Sequence, residues 1–259
     1  MKFENQVGGK AKITKIFEGH LLKPTNIREV TSYLNLPLSV ADIAPECCFI
    51  VSNGEVISIK QCDSECKPLE VVQELMKSQP EKYYLILKDA THNMKQPRIL
   101  DMKLGTRTYG DHITEEKKKH HVLKSKSNTT FSLGLRLCGG SFFDSEDGQM
   151  VNYSRAMGHS LSEPEFINLV KKFLTVSKQK KDVAIAQLLK VKEVIEACPT
   201  FRFFGSSLLV MADDYDETSI KIKLIDFANM ARSELNQPQY AGIDEGAVLG
   251  INNLIKLLE

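Results

Sequence analysis

The sequence lacks several features that would assign it to a specialised class of protein. Lysine and arginine total 34 residues and aspartate and glutamate total 33, so charge of neither sign prevails. The net charge of +1 gives no indication of nucleic acid binding, and any anion-binding site must come from local clustering of cations. The sequence has no internal repeat, no secretory signal and no apolar run long enough to span a membrane. We therefore expect neither nucleic acid binding nor membrane insertion.

The cysteines form no regular disulfide framework. They are Cys47, Cys48, Cys62, Cys66, Cys138 and Cys198. Without a secretory signal, we expect their thiols to be reduced and the protein to be cytoplasmic, nuclear or both. The spacing of Cys62 and Cys66 could supply half of a zinc site, but no second pair completes it, so we do not expect zinc.

What is present is the composition of an ordinary globular protein. Hydrophobic residues make up 42% of the chain and charged residues 26%. A chain of 259 residues can bury a sizeable core and can form one large domain or two lobes.

Asp101 and Lys103 form the most informative short pattern. They lie in residues 97–105 (PRILDMKLG), an extended run that ends in glycine. Side chains at positions i and i+2 of a strand point to the same face, so the carboxylate and the ammonium can act as one unit. Such a unit can hold a nucleotide and a phosphate-bearing substrate together. The alternative is a solvated surface ion pair, which is the commoner occurrence for this pattern alone.

A second stretch delivers a carboxylate at the end of a strand. Residues 221–228 (KIKLIDFA) alternate polar and apolar residues and then become apolar just before Asp226. A buried aspartate is costly unless a cation meets it, and in a phosphotransferase that cation is Mg²⁺ bridging nucleotide phosphates. The stretch resembles the Asp-Phe-Gly of protein kinases, with Ala228 in place of the glycine.

Together these stretches resemble the inositol polyphosphate kinases. Residues 97–105 fit the PxxxDxKxG signature of that family, residues 206–209 its SSLL motif and residues 225–228 its IDFA motif, in the family's order. The resemblance covers nearly the whole chain. It also includes residues 6–9 (QVGG), Lys23-Pro24, Arg28-Glu29, residues 132–136 (SLGLR) and residues 246–250 (GAVLG).

The resemblance implies an α+β, two-lobed, protein-kinase-like fold with antiparallel sheets and a short inositol-phosphate-binding helical segment. We expect residues 1–90 to form an amino-terminal ATP-binding lobe and residues 91–259 a carboxy-terminal lobe. Within the second lobe, residues 111–130 would form the substrate-binding helical segment.

Local patterns predict the individual elements. Turn signals at Glu18-Gly19 and Asn53-Gly54 predict two hairpins in the first part of the chain. Apolar periodicity and a capping box at residues 162–165 predict the helices of the second part. The predicted helices are residues 26–34, 114–127, a segment following the capping box, 182–197 and 245–258. The further predicted strands are residues 83–88, 132–139, 150–152, 201–212 and 219–228.

The resemblance also implies which residues bind ATP. Lys23 would contact the nucleotide phosphates and pair with Glu29 on a helix, although a lysine in this position, taken alone, is more often at the surface. The segment that joins the lobes would face the adenine, with Leu87 and Asp89 as contacts. The alternative for this segment is an ordinary turn at the end of a strand.

Four residues would lie around the transferred phosphoryl group. Asp101 would contact the ribose or lie close to the reacting oxygens, and Lys103 would be the catalytic cation, which also contacts the substrate. Asp226 would bind Mg²⁺, with Ser207 near the same edge of the nucleotide. The expected cofactors are thus ATP and Mg²⁺.

A compact polyanionic substrate requires several converging cations. The candidates are Lys103, Lys117, Lys118, His121, Lys124, Arg155 and His159. Most of the lysines, taken singly, could belong to a solvated helix face, and we expect two or three of them to contribute. Arg155 lies where the family has a substrate-contacting lysine. His159 lies where it has an arginine, which lowers the positive charge at neutral pH.

Within the family, residues 105–111 and 132–139 are most similar to the inositol hexakisphosphate kinases. We therefore expect ATP-dependent phosphorylation of inositol hexakisphosphate to a diphosphoinositol polyphosphate. That acceptor offers a phosphate oxygen already deprotonated at neutral pH, so no strong general base is required.

Two alternatives to this activity stay open. The first is an inositol trisphosphate 3-kinase or multikinase that acts on a ring hydroxyl. The second is a catalytically inactive inositol phosphate sensor, against which the joint presence of Lys23, Asp101, Lys103 and Asp226 argues. The sequence indicates no protein partner.

Overall fold

The computed structural model describes residues 3–9, 11–17, 19–52, 55–59, 74, 77, 82–144, 147–174, 176–232 and 240–259. These residues form twelve strands and eight α-helices. The strands are β1 (Thr14–Phe17), β2 (His20–Thr25), β3 (Cys47–Ser52), β4 (Glu55–Ser58), β5 (Tyr83–Lys88), β6 (Pro97–Leu104), β7 (Leu135–Asp144), β8 (Gln149–Tyr153), β9 (Phe201–Arg202), β10 (Ser207–Asp213), β11 (Ile220–Ile225) and β12 (Ala231–Arg232). The helices are α1 (Ile27–Leu34), α2 (Leu38–Ile43), α3 (Glu115–Lys126), α4 (Thr129–Leu133), α5 (Arg155–Ser160), α6 (Glu163–Phe173), α7 (Lys178–Glu196) and α8 (Glu245–Leu258).

The first sheet is antiparallel, with strand order β1-β2-β5-β3-β4. Helix α1 begins two residues after β2 because Asn26 caps it: the Asn26 side chain accepts hydrogen bonds from the backbone N–H groups of Arg28 and Glu29. Strand β2 carries Lys23, and α1 buries Glu29. The short connection therefore brings these two side chains to the same place.

The second sheet is also antiparallel, with strand order β11-β10-β6-β7-β8. Its central strand is β6, in which Asp101 lies opposite Gly139 of β7 and Leu209 of β10. Lys103 lies opposite Ser207 of β10. The Asp-x-Lys pair thus belongs to the middle of a sheet and is no edge feature.

The main core lies between the second sheet and helices α6, α7 and α8. Phe166, Phe173, Leu188 and Ile251 are fully buried there. Each such side chain contributes about 1.5–3 kcal/mol by leaving water. The same core continues to Val30 of α1, so it joins elements on both sides of the predicted boundary at residue 90. That boundary falls in the connection between β5 and β6 and stays a prediction.

Several predicted elements need correction. Residues 201–212 form two strands, β9 and β10, because Gly205 adopts a left-handed φ of 71° and turns the chain between them. The strand predicted from residue 132 begins at Leu135, after helix α4 ends at Gly134, which has a φ of 64°. Helix α7 begins at Lys178, before the predicted residue 182, because Ser177 caps it. Helices α2, α4 and α5 were not among the predicted helices.

The described cysteines differ in oxidation state. Cys47, Cys138 and Cys198 are free and buried, whereas Cys48 is disulfide-bonded, so the expectation that every thiol is reduced is wrong at Cys48. Cys62 and Cys66, considered for zinc, lie outside the described residues, as does the predicted turn Asn53-Gly54.

Within the described ranges, no group of three or more His, Cys, Asp or Glu side chains could hold a metal ion. Among the helices described above, none combines the length and the apolar character needed to cross a membrane.

Candidate active site

A cavity of about 350 Å³ lies where the two sheets meet. Its lining comes from β2, α1, the end of β5, strands β6, β10 and β11, and residues 3–9, which we call the N-terminal strap. Its volume falls in the range of small-molecule binding sites, about 300–1,000 Å³. Lys23, Glu29, Asp101, Lys103 and Asp226 all line it.

Lys23 is held between two carboxylates in this cavity. Its Nζ lies 2.8 Å from Glu29 Oε1 and 2.9 Å from Asp226 Oδ1. Thr25 Oγ1 donates a hydrogen bond to the other oxygen of Glu29. Burial alone would lower the pKa of Lys23, but the charges of Asp226 and Glu29 outweigh it and raise that pKa above its usual range. Lys23 is therefore a fixed cation.

Asp226 follows β11 in an unusual backbone conformation. Its φ is 67° and its ψ 72°, and it is the only non-glycine residue with positive φ among those the structure describes. Left-handed backbone at such a residue costs roughly 1–3 kcal/mol and occurs mainly where function requires it. Burial raises the pKa of Asp226, but Lys23 and Lys103 outweigh it and lower that pKa to about 2. Asp226 is thus ionised and can offer its carboxylate oxygens to a cation.

Lys103 approaches Asp226 from the second sheet. Its Nζ lies 3.7 Å from Asp226 Oδ2 and donates a hydrogen bond of 2.6 Å to the backbone oxygen of Gly205. A Cβ at Gly205 would lie 2.8 Å from Asn229 Nδ2 and 3.0 Å from Thr108 O. The turn that presents the Gly205 oxygen therefore accepts no side chain without a shift of its neighbours.

Asp101 and Ser207 are buried and incompletely paired. Asp101 is 4% exposed and Ser207 is fully buried. Among the described residues, neither Asp101 Oδ1 nor Ser207 Oγ has a hydrogen-bond partner. An unpaired buried polar atom costs about 1–3 kcal/mol. Burial raises the pKa of Asp101, while the charge of Lys103 lowers it. Both atoms are enclosed by protein, and the Ser207 hydroxyl lies close enough to the Asp101 carboxylate to lower the pKa of Asp101.

The expected adenine contacts lie at the end of β5. Leu87 and Asp89 both line the cavity. However, Asp89 Oδ1 accepts hydrogen bonds from the N–H and the hydroxyl of Thr91, and the Asp89 N–H donates to Gly19 O. The remaining carboxylate oxygen, Oδ2, lies 4.0 Å from Lys15 Nζ. Asp89 thus shapes the turn, and its role as an adenine contact stays a prediction.

Several of the predicted substrate cations cluster beyond Lys103. We use the name acceptor cluster for His121, Lys124, Arg136, Arg155 and His159. The charges of Lys124 and Arg155 act on both histidines, and burial together with these charges lowers the pKa of His121. Arg136 Nη1 lies 2.9 Å from His159 Nε2. The cluster is the natural place for a polyanion.

His159 is a neutral member of this cluster. Burial and the charges of Arg136, Lys124 and Arg155 lower its pKa to about 4. It therefore adds no positive charge at neutral pH. Arg136 supplies the positive charge instead. It lies in the SLGLR stretch of the family resemblance, which assigned it no role in substrate binding.

Lys117 and Lys118 lie near the amino-terminal end of α3. Lys117 is exposed, and among the described residues its side chain forms no hydrogen bond or ion pair. Lys118 Nζ lies 3.4 Å from Glu115 Oε1 on the same helix. Their roles in substrate binding stay predictions.

A second cavity of about 400 Å³ adjoins the first. Arg155, Ser154, Cys138 and Lys12 line one side, and the N-terminal strap lines the other. The strap therefore forms a wall common to both cavities. The sequence signal for it was the QVGG stretch, to which we had given no role.

Comparison with known proteins identifies this arrangement. The family model described as inositol polyphosphate kinase matches residues 84–259, well over half of the chain. The chain belongs to the inositol polyphosphate kinase family. The resemblance of its motifs to this family is thereby confirmed.

Curated relatives in the family include inositol hexakisphosphate kinases. The chain is 28% identical over 197 residues to inositol hexakisphosphate kinase 3 of Mus musculus, covering 68% of the chain and 50% of the relative. It is 26% identical over 253 residues to inositol hexakisphosphate kinase 1 of Rattus norvegicus, covering 80% and 58%. The chain thus spans about half the length of the curated relatives it matches.

Solved structures of the family show the same fold. The inositol phosphate multikinase Ipk2 of S. cerevisiae, in complex with ADP and Mn²⁺, superposes with a TM-score of 0.68 at 18% identity, covering 92% of this chain and 97% of that one. Another inositol phosphate multikinase structure gives a TM-score of 0.58 at 22% identity, covering 67% and 84%. The predicted α+β, protein-kinase-like fold with antiparallel sheets is confirmed.

Proposed function

We propose that this inositol polyphosphate kinase family member is an ATP-dependent kinase that phosphorylates inositol hexakisphosphate. The observation that carries the proposal is the convergence of Lys23, Asp226 and Lys103 in one cavity, beside a cluster of cations. The names of the hexakisphosphate kinase relatives support the choice of acceptor.

The donor cavity fits ATP and Mg²⁺. Asp226 offers ionised oxygens, and Asp101, which lines the same cavity, would contact the ribose. Magnesium is commonly held by one or two carboxylates together with substrate phosphates, so a lone protein carboxylate suffices. When bound, Mg²⁺ would neutralise negative charge that develops on the transferred phosphoryl group.

Lys23 and Lys103 would act on opposite sides of the phosphate chain. Lys23, fixed by Glu29, would bind the nucleotide phosphates. Lys103 sits on a central strand and is oriented by the Gly205 oxygen, so it would meet the transferred group. Phosphoryl transfer passes through a loose, charge-dispersed transition state, in which positioned cations supply most of the stabilisation.

The state of the titratable groups favours a phosphate acceptor. Inositol hexakisphosphate has no free ring hydroxyl, and its attacking oxygen needs no proton removed. His159 is engaged with Arg136, and Asp101 is buried with an unpaired oxygen, so neither is an exposed base. With a ring hydroxyl as the acceptor, Asp101 would instead have to act as the base that removes the hydroxyl proton.

The test measures ATP consumption with inositol hexakisphosphate or inositol trisphosphate, followed by separation of the products. Lys103→Ala and Asp226→Asn should each abolish most turnover. Lys178→Ala and Asp182→Asn, exposed positions on α7, are the matched controls and should retain it.

Each outcome has a distinct meaning. A diphosphoinositol product supports the proposal. Turnover of the trisphosphate alone would replace it with a hydroxyl-directed kinase. Binding of hexakisphosphate by the wild type without ATP consumption would identify a sensor.

A further inference from the structure

The N-terminal strap crosses the centre of the second sheet at backbone distance. Asp101 and Gly139 lie opposite each other on β6 and β7, and the strap passes over both. A Cβ at Gly139 would lie 1.7 Å from the backbone oxygen of Val7. A Cβ at Gly8 would lie 2.0 Å from Asp101 Oδ2 and 2.8 Å from its Cγ. Both contacts exist only because these positions carry no side chain.

The strap is tied down at both ends. Asn5 Nδ2 donates a hydrogen bond of 2.9 Å to Thr91 Oγ1, next to the end of β5. Gln6 Nε2 donates to Gly8 O and to Ala11 O, and Gln6 Oε1 accepts from the N–H of Ile13. These bonds close the chain around Gly8 into a fixed loop, so its place over Asp101 is defined.

We propose that Gly8 is a positioning residue that holds the Asp101 carboxylate beneath the N-terminal strap, on the side of the first cavity, where ATP would bind. This proposal rests on the proposed function. The strap lines both cavities, and Asp101, which lines the first, lies against Gly8 of the strap. Gly8 itself need not touch a substrate, because it acts through the carboxylate that it covers.

The physical reason is steric. Added bulk at Gly8 must move either the carboxylate or the strap, since the two cannot occupy the same space. A misplacement of about 1 Å at a reacting centre can cost about a hundredfold in rate. Gly8→Ala should therefore lower kcat by about tenfold to a hundredfold, with a smaller change in the KM for ATP.

A double-mutant cycle with Asp101→Ala separates this role from general destabilisation. Replacing Asp101 by alanine removes Oδ2 and Cγ, and the nearest atom left near a Gly8 methyl is the Cβ of residue 101, at 3.1 Å. Gly8→Ala should therefore cost little further in that background, because a shift of a few tenths of an ångström relieves the remaining approach. Gly148→Ala adds a methyl with no described atom within 4 Å; because its φ of 65° adds a backbone penalty that Gly8 does not carry, it is the control for kcat and not for stability.

The double-mutant cycle tests the proposal whether or not the wild type shows turnover. A double variant as active as Asp101→Ala alone supports it, and effects that multiply overturn it. If the wild type shows no turnover, the proposed function fails, and the cycle is then read from the thermal unfolding midpoint. Gly8→Ala should lower that midpoint in the wild type but not beside Asp101→Ala; equal decreases in both backgrounds overturn the proposal.

Discussion

Lys23 and Asp226 lie 203 positions apart in the chain, yet Lys23 Nζ lies 2.9 Å from Asp226 Oδ1. The lysine belongs to the first sheet, and the aspartate follows the last strand of the second. Their ion pair therefore ties the two sheets together across the donor cavity. Because Lys103 also lies 3.7 Å from Asp226, one carboxylate organises the cations from both sides.

Glu29 stabilises the folded protein through Lys23. Both side chains are largely buried, and Glu29 also accepts from Thr25. A hydrogen bond to a charged group contributes about 1.5–3 kcal/mol. We expect Glu29→Gln to lower the free energy of unfolding by roughly that amount, and to weaken ATP binding because Lys23 loses one of its two anchors. Urea denaturation and ATP titration measure both effects.

The control for this prediction is Glu196→Gln. The Glu196 side chain is 42% exposed, and its Oε1 lies 3.9 Å from Lys192 Nζ. A surface ion pair of this kind contributes at most about 1 kcal/mol to stability. Equal losses of stability in Glu29→Gln and Glu196→Gln would show that the buried pair has no special role.

Gly205 fixes the orientation of Lys103. It has a φ of 71°, and a side chain there would contact Asn229 and Thr108. We expect Gly205→Ala to lower both stability and turnover, the former by at least about 1 kcal/mol from left-handed backbone alone. Gly148→Ala carries the same backbone penalty, with a φ of 65°, but has open space around its methyl. Comparing the kcat values of the two variants isolates the contribution of the hydrogen bond between Lys103 Nζ and Gly205 O. Equal kcat values would show that this hydrogen bond does not contribute to turnover.

His159 should make the stability of the protein depend on pH. Its pKa is about 4 in the folded protein, against about 6.5 in an unfolded chain. Between these values the unfolded state binds more protons, so stability is fully present above pH 6.5 and is lost as the pH falls towards 4. We expect His159→Gln to reduce this loss. Chemical denaturation at several pH values measures the free energy of unfolding as a function of pH. If that free energy changes equally with pH in the variant and the wild type, His159 is not the residue responsible.

The same histidine reports on acceptor binding. A polyanion placed among Arg136, Arg155 and Lys124 would offset the positive charges that lower the pKa of His159. We expect inositol hexakisphosphate to raise that pKa, as followed by NMR of the imidazole protons. A titration curve unchanged by the ligand would place the acceptor elsewhere.

The sequence predicted those parts of the site that lie in continuous motifs. Local patterns placed Lys23 on a strand and Glu29 on the helix that follows it. The apolar run before Asp226 placed that residue at the end of a strand. The left-handed backbone of Asp226 was not predictable, because the local sequence gives no signal for a positive φ and the residue lies in a site assembled from distant segments. The N-terminal strap was missed for the same reason: Gly8 reveals its role only when Asp101, far along the chain, lies against it. Helix α5 was missed because its six residues are too few for apolar periodicity to show.

The final prediction ranks the cations proposed to bind the acceptor. Lys117, Lys124 and Arg155 are all exposed, but only Lys124 and Arg155 act electrostatically on both histidines of the acceptor cluster. A charge close to a bound polyanion matters more than a distant one, because salt screens exposed charges beyond about 8 Å. We expect Lys124→Ala and Arg155→Ala to raise the KM for inositol hexakisphosphate more than Lys117→Ala does, with the KM for ATP unchanged in all three. Steady-state kinetics at two salt concentrations measure this. A Lys117→Ala variant with the largest increase would mean that the polyanion lies along the outer face of α3.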